Sequence, residues 1–452
     1  MTAIRQTLYS KLIVRRVRGA ILLGVLLTLA APTLATPSDP SEPIILVADR
    51  MLDGVGGIKK SVRILVEDGI IKSIDAPKLM STRTIDLRGK LILPGFIDTH
   101  VHIFYHFRNG RFVDNRLVGL DEPRAEMVLR AAENANLALD AGFTTIQVAG
   151  PGHPEDIFLR EALQRGILPG PRLLTSLQWL RFEAGKAPPP DGLRAIVRER
   201  KGQGADFIKV FASSSERDGM KPLLSQEQLD AICGEARAQG LRVMVHAYTL
   251  AVDRALRAGC TTIEHGTQGM TKAVIEEFAR RGAYYNPTLY LADKNYLDNK
   301  DKFLGVGNFN EEAFKLIETN VLRAPSEFIQ VLKNGRVNVV FGSDASAGAH
   351  GRNAEELIYR IQVAGMDPMR AVISATSLAA RSVGLGTQIG TIAPGFRADI
   401  IAVDGDILRD ATAARRVSFV MSNGRIIRDG GLPKAYMEAR PPPIEASTTS
   451  EP

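Results

Sequence analysis

From residue 96 onward, short apolar runs alternate with longer amphipathic stretches. The apolar, β-branched runs fall at Phe96–His102, Phe143–Ala149, Arg172–Ser176, Asp206–Phe211, Arg242–His246, Thr261–His265, Ala283–Thr288 and Asn338–Asp344. Runs of this length bounded by turn formers read as buried strands. The stretches between them have helical spacing. Ser225–Gln239 is one, with Ser225 as N-cap, Gln228 three residues on and Gly240 beyond its end. Eight strands alternating with helices predict an α/β fold, a closed (β/α)8 TIM barrel at residues 92–385.

Outside that region the rhythm is shorter. Ile44–Ala48, Val62–Val66, Ile70–Ile74 and Thr84–Leu87 read as strands, and Glu67-Asp68-Gly69 is a hairpin turn signal. Asp399–Asp404 and Phe419–Gly424 read the same way after the barrel. A small composite β-sandwich built from residues 44–91 and 386–430 is therefore expected. Residues 36–43, rich in proline, read as a linker, and 431–452 as a partly disordered tail.

The amino terminus changes the charge picture. Arg15, Arg16 and Arg18 precede the apolar run Ala20–Ala31, and Thr33-Leu34-Ala35 has the small residues of a cleavage site. Residues 1–35 thus read as a signal peptide, and the expected location is periplasmic or secreted, or membrane-anchored if the segment stays uncleaved. This segment holds five basic residues and no acidic one, so the formal charge of +7 falls to +2 without it. That excludes a case for nucleic-acid binding. The composition, 45% hydrophobic and 24% charged, is that of a globular chain. Its two cysteines, Cys233 and Cys260, fall in a helical pattern and before an apolar strand, and are expected as buried free thiols.

Chemistry concentrates at the strand ends. His100 and His102 are one residue apart, so on a strand they share a face. Lys209, His246, His265 and Asp344 stand at or near the ends of the fourth, fifth, sixth and eighth expected strands. The carboxyl ends of barrel strands carry active sites. Four of the seven histidines on one rim suit a metal ion. Burial turns a lysine toward the neutral, nucleophilic amine. Such an amine takes up CO2 as a carbamate, whose two oxygens can bridge two divalent cations.

These residues resemble the amidohydrolase superfamily, in its imidazolonepropionase-like and prolidase-like branch. The motifs that carry the resemblance run from Leu93-Pro94-Gly95 to His102, from Gly204 to Phe211, then His246-Ala247, Ile263-Glu264-His265-Gly266, Gly342-Ser343-Asp344 and Gly390 to Ile400. The resemblance implies a binuclear zinc site. One ion would be held by His100, His102, Lys209 and Asp344, the other by Lys209, His246 and His265. It implies hydrolysis of an amide in a dipeptide or N-acyl amino acid by a metal-bridging hydroxide, with Asp344 as general acid and base. Tyr248 is a candidate for stabilising the oxyanion, and His350 and Arg352 for binding a substrate carboxylate. A homo-oligomer is the expected assembly. The chain departs from these relatives at Ile146-Gln147, Ser176-Leu177-Gln178-Trp179 and Ser214-Ser215, all beside the expected pocket. Two alternatives remain open: a mononuclear deaminase or imidazolonepropionase-type enzyme, and a non-catalytic binding protein on the same scaffold.

Overall fold

The computed structural model describes residues 42–78, 82–113, 122–266 and 268–437. The expected signal peptide, most of the linker and the tail beyond residue 437 lie outside them. Among the described residues, no helix is long and apolar enough to cross a membrane.

Strands from either side of the barrel region knit into one sheet. Ile44–Leu52 pairs antiparallel with Ile58–Glu67 and parallel with Leu91–Pro94. Leu91–Pro94 pairs antiparallel with Ile400–Val403, which continues to Val417–Ser422 and Arg425–Asp429. The strand period of two gives this sheet two buried faces. Ile400 and Ala402 join Ile44, Leu46, Ile64 and Phe419 in a core of their own. Ile401 and Val403, on the opposite face, join the main core.

The eight expected inner strands occur in order, in two parallel arcs. Phe96–Val101, Phe143–Val148 and Arg172–Thr175 form one arc. Phe207–Phe211, Arg242–Ala247, Thr262–His265, Tyr284–Asn286 and Asn338–Val339 form the other. Backbone hydrogen bonds cross both gaps. At one, Asp206 N donates to Thr175 O (2.9 Å) and Leu180 N to Lys209 O (2.7 Å). At the other, Asp344 N donates to His100 O (2.8 Å) and Thr99 N to Phe341 O (3.1 Å). The eighth strand is shorter than its apolar run. Past Val339 one bond to the seventh strand remains, Val340 N to Tyr285 O (2.9 Å), and Phe341 N donates to Ser374 O (2.9 Å) instead.

The cysteine expectation is overturned. Cys233 and Cys260 form a disulfide, with Cα atoms 5.2 Å apart across 27 residues. Cys233 lies on the buried face of Gln226–Ala238, and Cys260 lies in the turn leading into Thr262–His265. Neighbouring strand–helix units of a parallel sheet stand side by side, which brings these two positions together. Separation along the chain hides that proximity.

Candidate active site

The site begins where the first strand ends. His100 and His102 both aim Nε2 at Asp344 Oδ1, at 3.4 and 3.0 Å. Their ligand atoms and that of Asp344 lie within 4.8 Å of one another, as a metal ion requires. His265 and Asp344 sit at φ 69° and 54°. A left-handed backbone costs about 1 kcal/mol or more at a residue with a side chain, and such strain collects at functional sites.

The other ring nitrogens are engaged from behind. His100 Nδ1 lies 2.7 Å from Glu264 Oε2, and His265 Nδ1 lies 2.6 Å from Thr288 Oγ1. His102 Nδ1–H donates to the Gly150 carbonyl, which can only accept. Protonation on Nδ1 leaves Nε2 with its lone pair turned toward the site. Burial holds His100 and His246 well below the usual histidine range and brings His265 to about 3, so these three imidazoles are neutral, the form that binds a cation. Burial works against the charge on Asp344; His100 and His102 favour that charge only when a ring is protonated.

Lys209 points into the same space from the fourth strand. It is fully buried, and its Nζ has no hydrogen-bond partner among the described residues. Burial lowers it to about 8. His246 stands 4.6 Å from His265, ring to ring, and Tyr248 stacks on His265 at 5.2 Å. Neutral imidazoles, a carboxylate and an unpartnered amine form the nitrogen and oxygen donor set of a zinc-type site. The amine is the one member that such a cage explains and a protein core does not.

A buried network fixes this geometry. Asp98 accepts from His100 N (3.1 Å), Ser343 N (3.0 Å) and Asn353 Nδ2 (2.7 Å), which ties the first strand to the eighth. Gly342 has to be glycine: a Cβ there would lie 2.1 Å from Asn286 Nδ2 and 2.9 Å from His100 Cβ. Asn286 Nδ2 in turn donates to Glu264 Oε2 at 2.6 Å. Glu264→Gln is expected to weaken metal binding by about 10–100-fold, because it replaces an acceptor that orients a ligand. Competition against a chelator measures this, and an unchanged affinity would remove Glu264 from the support of His100.

His100, His102, Lys209, His246, His265, Asp344 and Tyr248 all line one cavity, and Trp179 is beside them. His350 and Arg352 are not in its wall. His350 is buried against the backbone of His102 and Tyr105, and Arg352 sits half-buried in the turn after Ala349. The cavity's charged side chains beyond the cage are instead Arg181, Arg217, Glu216 and Asp293. Sequence reasoning missed these four. For two of them a signal existed: Glu216-Arg217-Asp218 follows closely on the strand carrying Lys209, at the carboxyl end where barrel enzymes place function.

A family model for the amidohydrolase family matches residues 91–427. Ochratoxinase of Aspergillus niger is 26% identical over 461 aligned positions, spanning 91% of this chain and 92% of its own. A solved Xaa-Pro dipeptidase with methionine in its active site superimposes with a TM-score of 0.75 at 26% identity, over 86% of this chain and 100% of that one. A prolidase complexed with N-methylphosphonate-L-proline gives 0.74 at 28% identity, again over 86% and 100%.

Proposed function

The chain belongs to the amidohydrolase family and is a hydrolase of carbon–nitrogen bonds, and from that premise we propose that it cleaves the amide of a dipeptide or an N-acyl amino acid at a binuclear metal site. The observation that carries this reading is Lys209 Nζ, buried and unpartnered in the cavity that holds His100, His102, His246, His265 and Asp344. A neutral amine adds to CO2 with release of one proton, giving an N-carboxylate with two oxygens. His100, His102, Asp344 and one carbamate oxygen would hold one ion. His246, His265 and the other oxygen would hold the second. Zinc suits this set of ligands.

Ions so held lower the pKa of a water and polarise a carbonyl oxygen. The protein's own groups do the rest. Asp344, beside the Nε2 atoms of His100 and His102, accepts a proton at a carboxylate oxygen and returns it to the leaving amine. Burial keeps the Tyr248 hydroxyl protonated, so it can donate to an oxyanion in the cavity. Among the described residues, Arg181 and Arg217 are the guanidiniums in the cavity wall that could face a substrate carboxylate.

The two arcs of strands are read here as one closed (β/α)8 barrel, with the composite sheet packed beside it. The protein is read as exported through its amino-terminal segment. The Cys233–Cys260 disulfide supports that location, since such bonds persist in oxidising compartments. The amide-cleaving reading draws support from the Xaa-Pro dipeptidase and prolidase neighbours.

The test combines elemental analysis with a panel of dipeptides and N-acyl amino acids followed by mass spectrometry. Binuclear metal content and release of a free amino acid are expected. A single ion per chain would favour the mononuclear alternative, built on His100, His102, His246 and Asp344, and leave Lys209 without a role.

A further inference from the structure

Outside the metal cage and among the described residues, the charged side chains in the cavity wall are two guanidiniums and two carboxyl groups. An N-acyl amino acid carries only a carboxylate, so Arg181 and Arg217 would suffice for it. A dipeptide is a zwitterion and needs an anion as well.

The acidic pair is built and held. Glu216 is buried in a short helical turn after the fourth strand, and Asn320 Nδ2 donates to its Oε2 at 2.6 Å. Asp293, on Leu291–Asp298 of the long seventh crossover, lines the same cavity and is close enough to feel the charge of Glu216. Two neighbouring carboxyl groups in such a place do not both ionise, and one proton is held between them. Burial, and after it the charge of Glu216, pushes Asp293 well above the carboxylate range. Arg217 offsets at most one charge of the pair: it meets Glu216 at 4.0 Å while lying on the faces of Phe309 (4.4 Å) and Tyr296 (5.2 Å), with Nε donating to Asn308 Oδ1 at 3.3 Å. The pair therefore faces a substrate cavity that also contains the unpartnered Lys209 amine, with a cation's place filled by one proton. An arrangement that costs stability when empty is what recognition of a ligand cation requires.

We propose that Glu216 and Asp293 bind the free α-ammonium group of the substrate, so that the enzyme is a dipeptidase and discriminates against N-acyl amino acids. This rests on the hydrolase reading of the site and narrows it. On binding, the ammonium replaces the shared proton, which leaves to solvent, and both carboxylates accept from its N–H groups.

The test uses the metal-loaded enzyme with alanyl-phenylalanine and propionyl-phenylalanine, which have the same skeleton with and without the ammonium. The wild type is expected to favour the dipeptide by about tenfold or more in kcat/KM, because a missing charged partner leaves the site's acids unpaired. Asp293→Asn and Glu216→Gln are expected to bring that ratio to about one, chiefly through KM for the dipeptide. The melting temperature of Asp293→Asn should equal or exceed that of the wild type, since it relieves like-charge burial; a merely structural carboxyl group would show the opposite. A wild type that cleaves both substrates equally, or variants that lose both equally, overturns this inference and leaves the hydrolase reading intact. A wild type that cleaves no amide in the panel rejects the reading beneath it. The wild-type comparison stands even if a variant fails to fold.

Discussion

Lys209→Ala is expected to lower kcat/KM by about 10³-fold or more, equivalent to roughly 4 kcal/mol of transition-state stabilisation, and to abolish binuclear metal binding. The argument starts from the strand. Phe207–Phe211 is buried at every position, so the lysine side chain has no outer surface and ends in the cavity wall. Its nearest aromatic face, Phe211, is 5.4 Å from Nζ, and no acceptor pairs with it among the described residues. A core would not hold such an amine without a partner. The same reasoning separates function from folding. Removing an amine that makes no bond in the metal-free protein should cost that form little stability, so the apo variant should melt near the wild type while its metal content drops. Added acetate or propionate, which supplies a carboxylate of similar size, should restore part of the activity. Full metal content and undiminished turnover in Lys209→Ala would sink the binuclear proposal.

The sequence was most legible where a local period decides geometry. The alternation of a strand puts His100 and His102 on one face, and the structure has both reaching the same oxygen of Asp344. The barrel rule placed Lys209, His246 and His265 at neighbouring strand ends, and they line one cavity. Legibility fell wherever convergence depends on long connections. Asp293 and Asn320 reach Glu216 only because Leu291–Asp298 and Glu311–Asn334, both in the seventh crossover, fold back over the cavity. No spacing in the chain announces that contact. His350 and Arg352 show the converse. Their glycine-rich loop suggested a rim, but Asn353 Nδ2 bonds the buried Asp98, and neither His350 nor Arg352 lines the cavity. The disulfide was missed for a related reason, since it depends on which helix turns lie side by side.

The second large effect is on stability. Arg360→Ala is expected to destabilise the protein by about 3–5 kcal/mol, the range for removing one partner of a buried ion pair. Arg360 and Glu356 are both fully buried and meet at 2.8 Å. The guanidinium also donates to Val340 O (2.7 Å), Asn286 Oδ1 (3.1 Å) and Gly342 O (3.2 Å), the carbonyls and amide that shape the eighth strand. Glu356 for its part accepts from the backbone of Leu289 and Tyr290, both at 2.8 Å, at the start of the crossover. Without Arg360 that carboxylate is left buried and uncompensated. Arg360→Lys should cost less than alanine, since it keeps the charge but cannot reach all these acceptors. Denaturant unfolding of the metal-free variants measures both, and a loss under about 1 kcal/mol for alanine would mean that water replaces the guanidinium. The damage should also reach the metal site. Asn286 links Arg360 to Glu264, and Glu264 orients His100. Metal should therefore bind Arg360→Ala more weakly, yet saturating metal should recover part of its stability, because a ligand that binds only the folded state stabilises it by mass action.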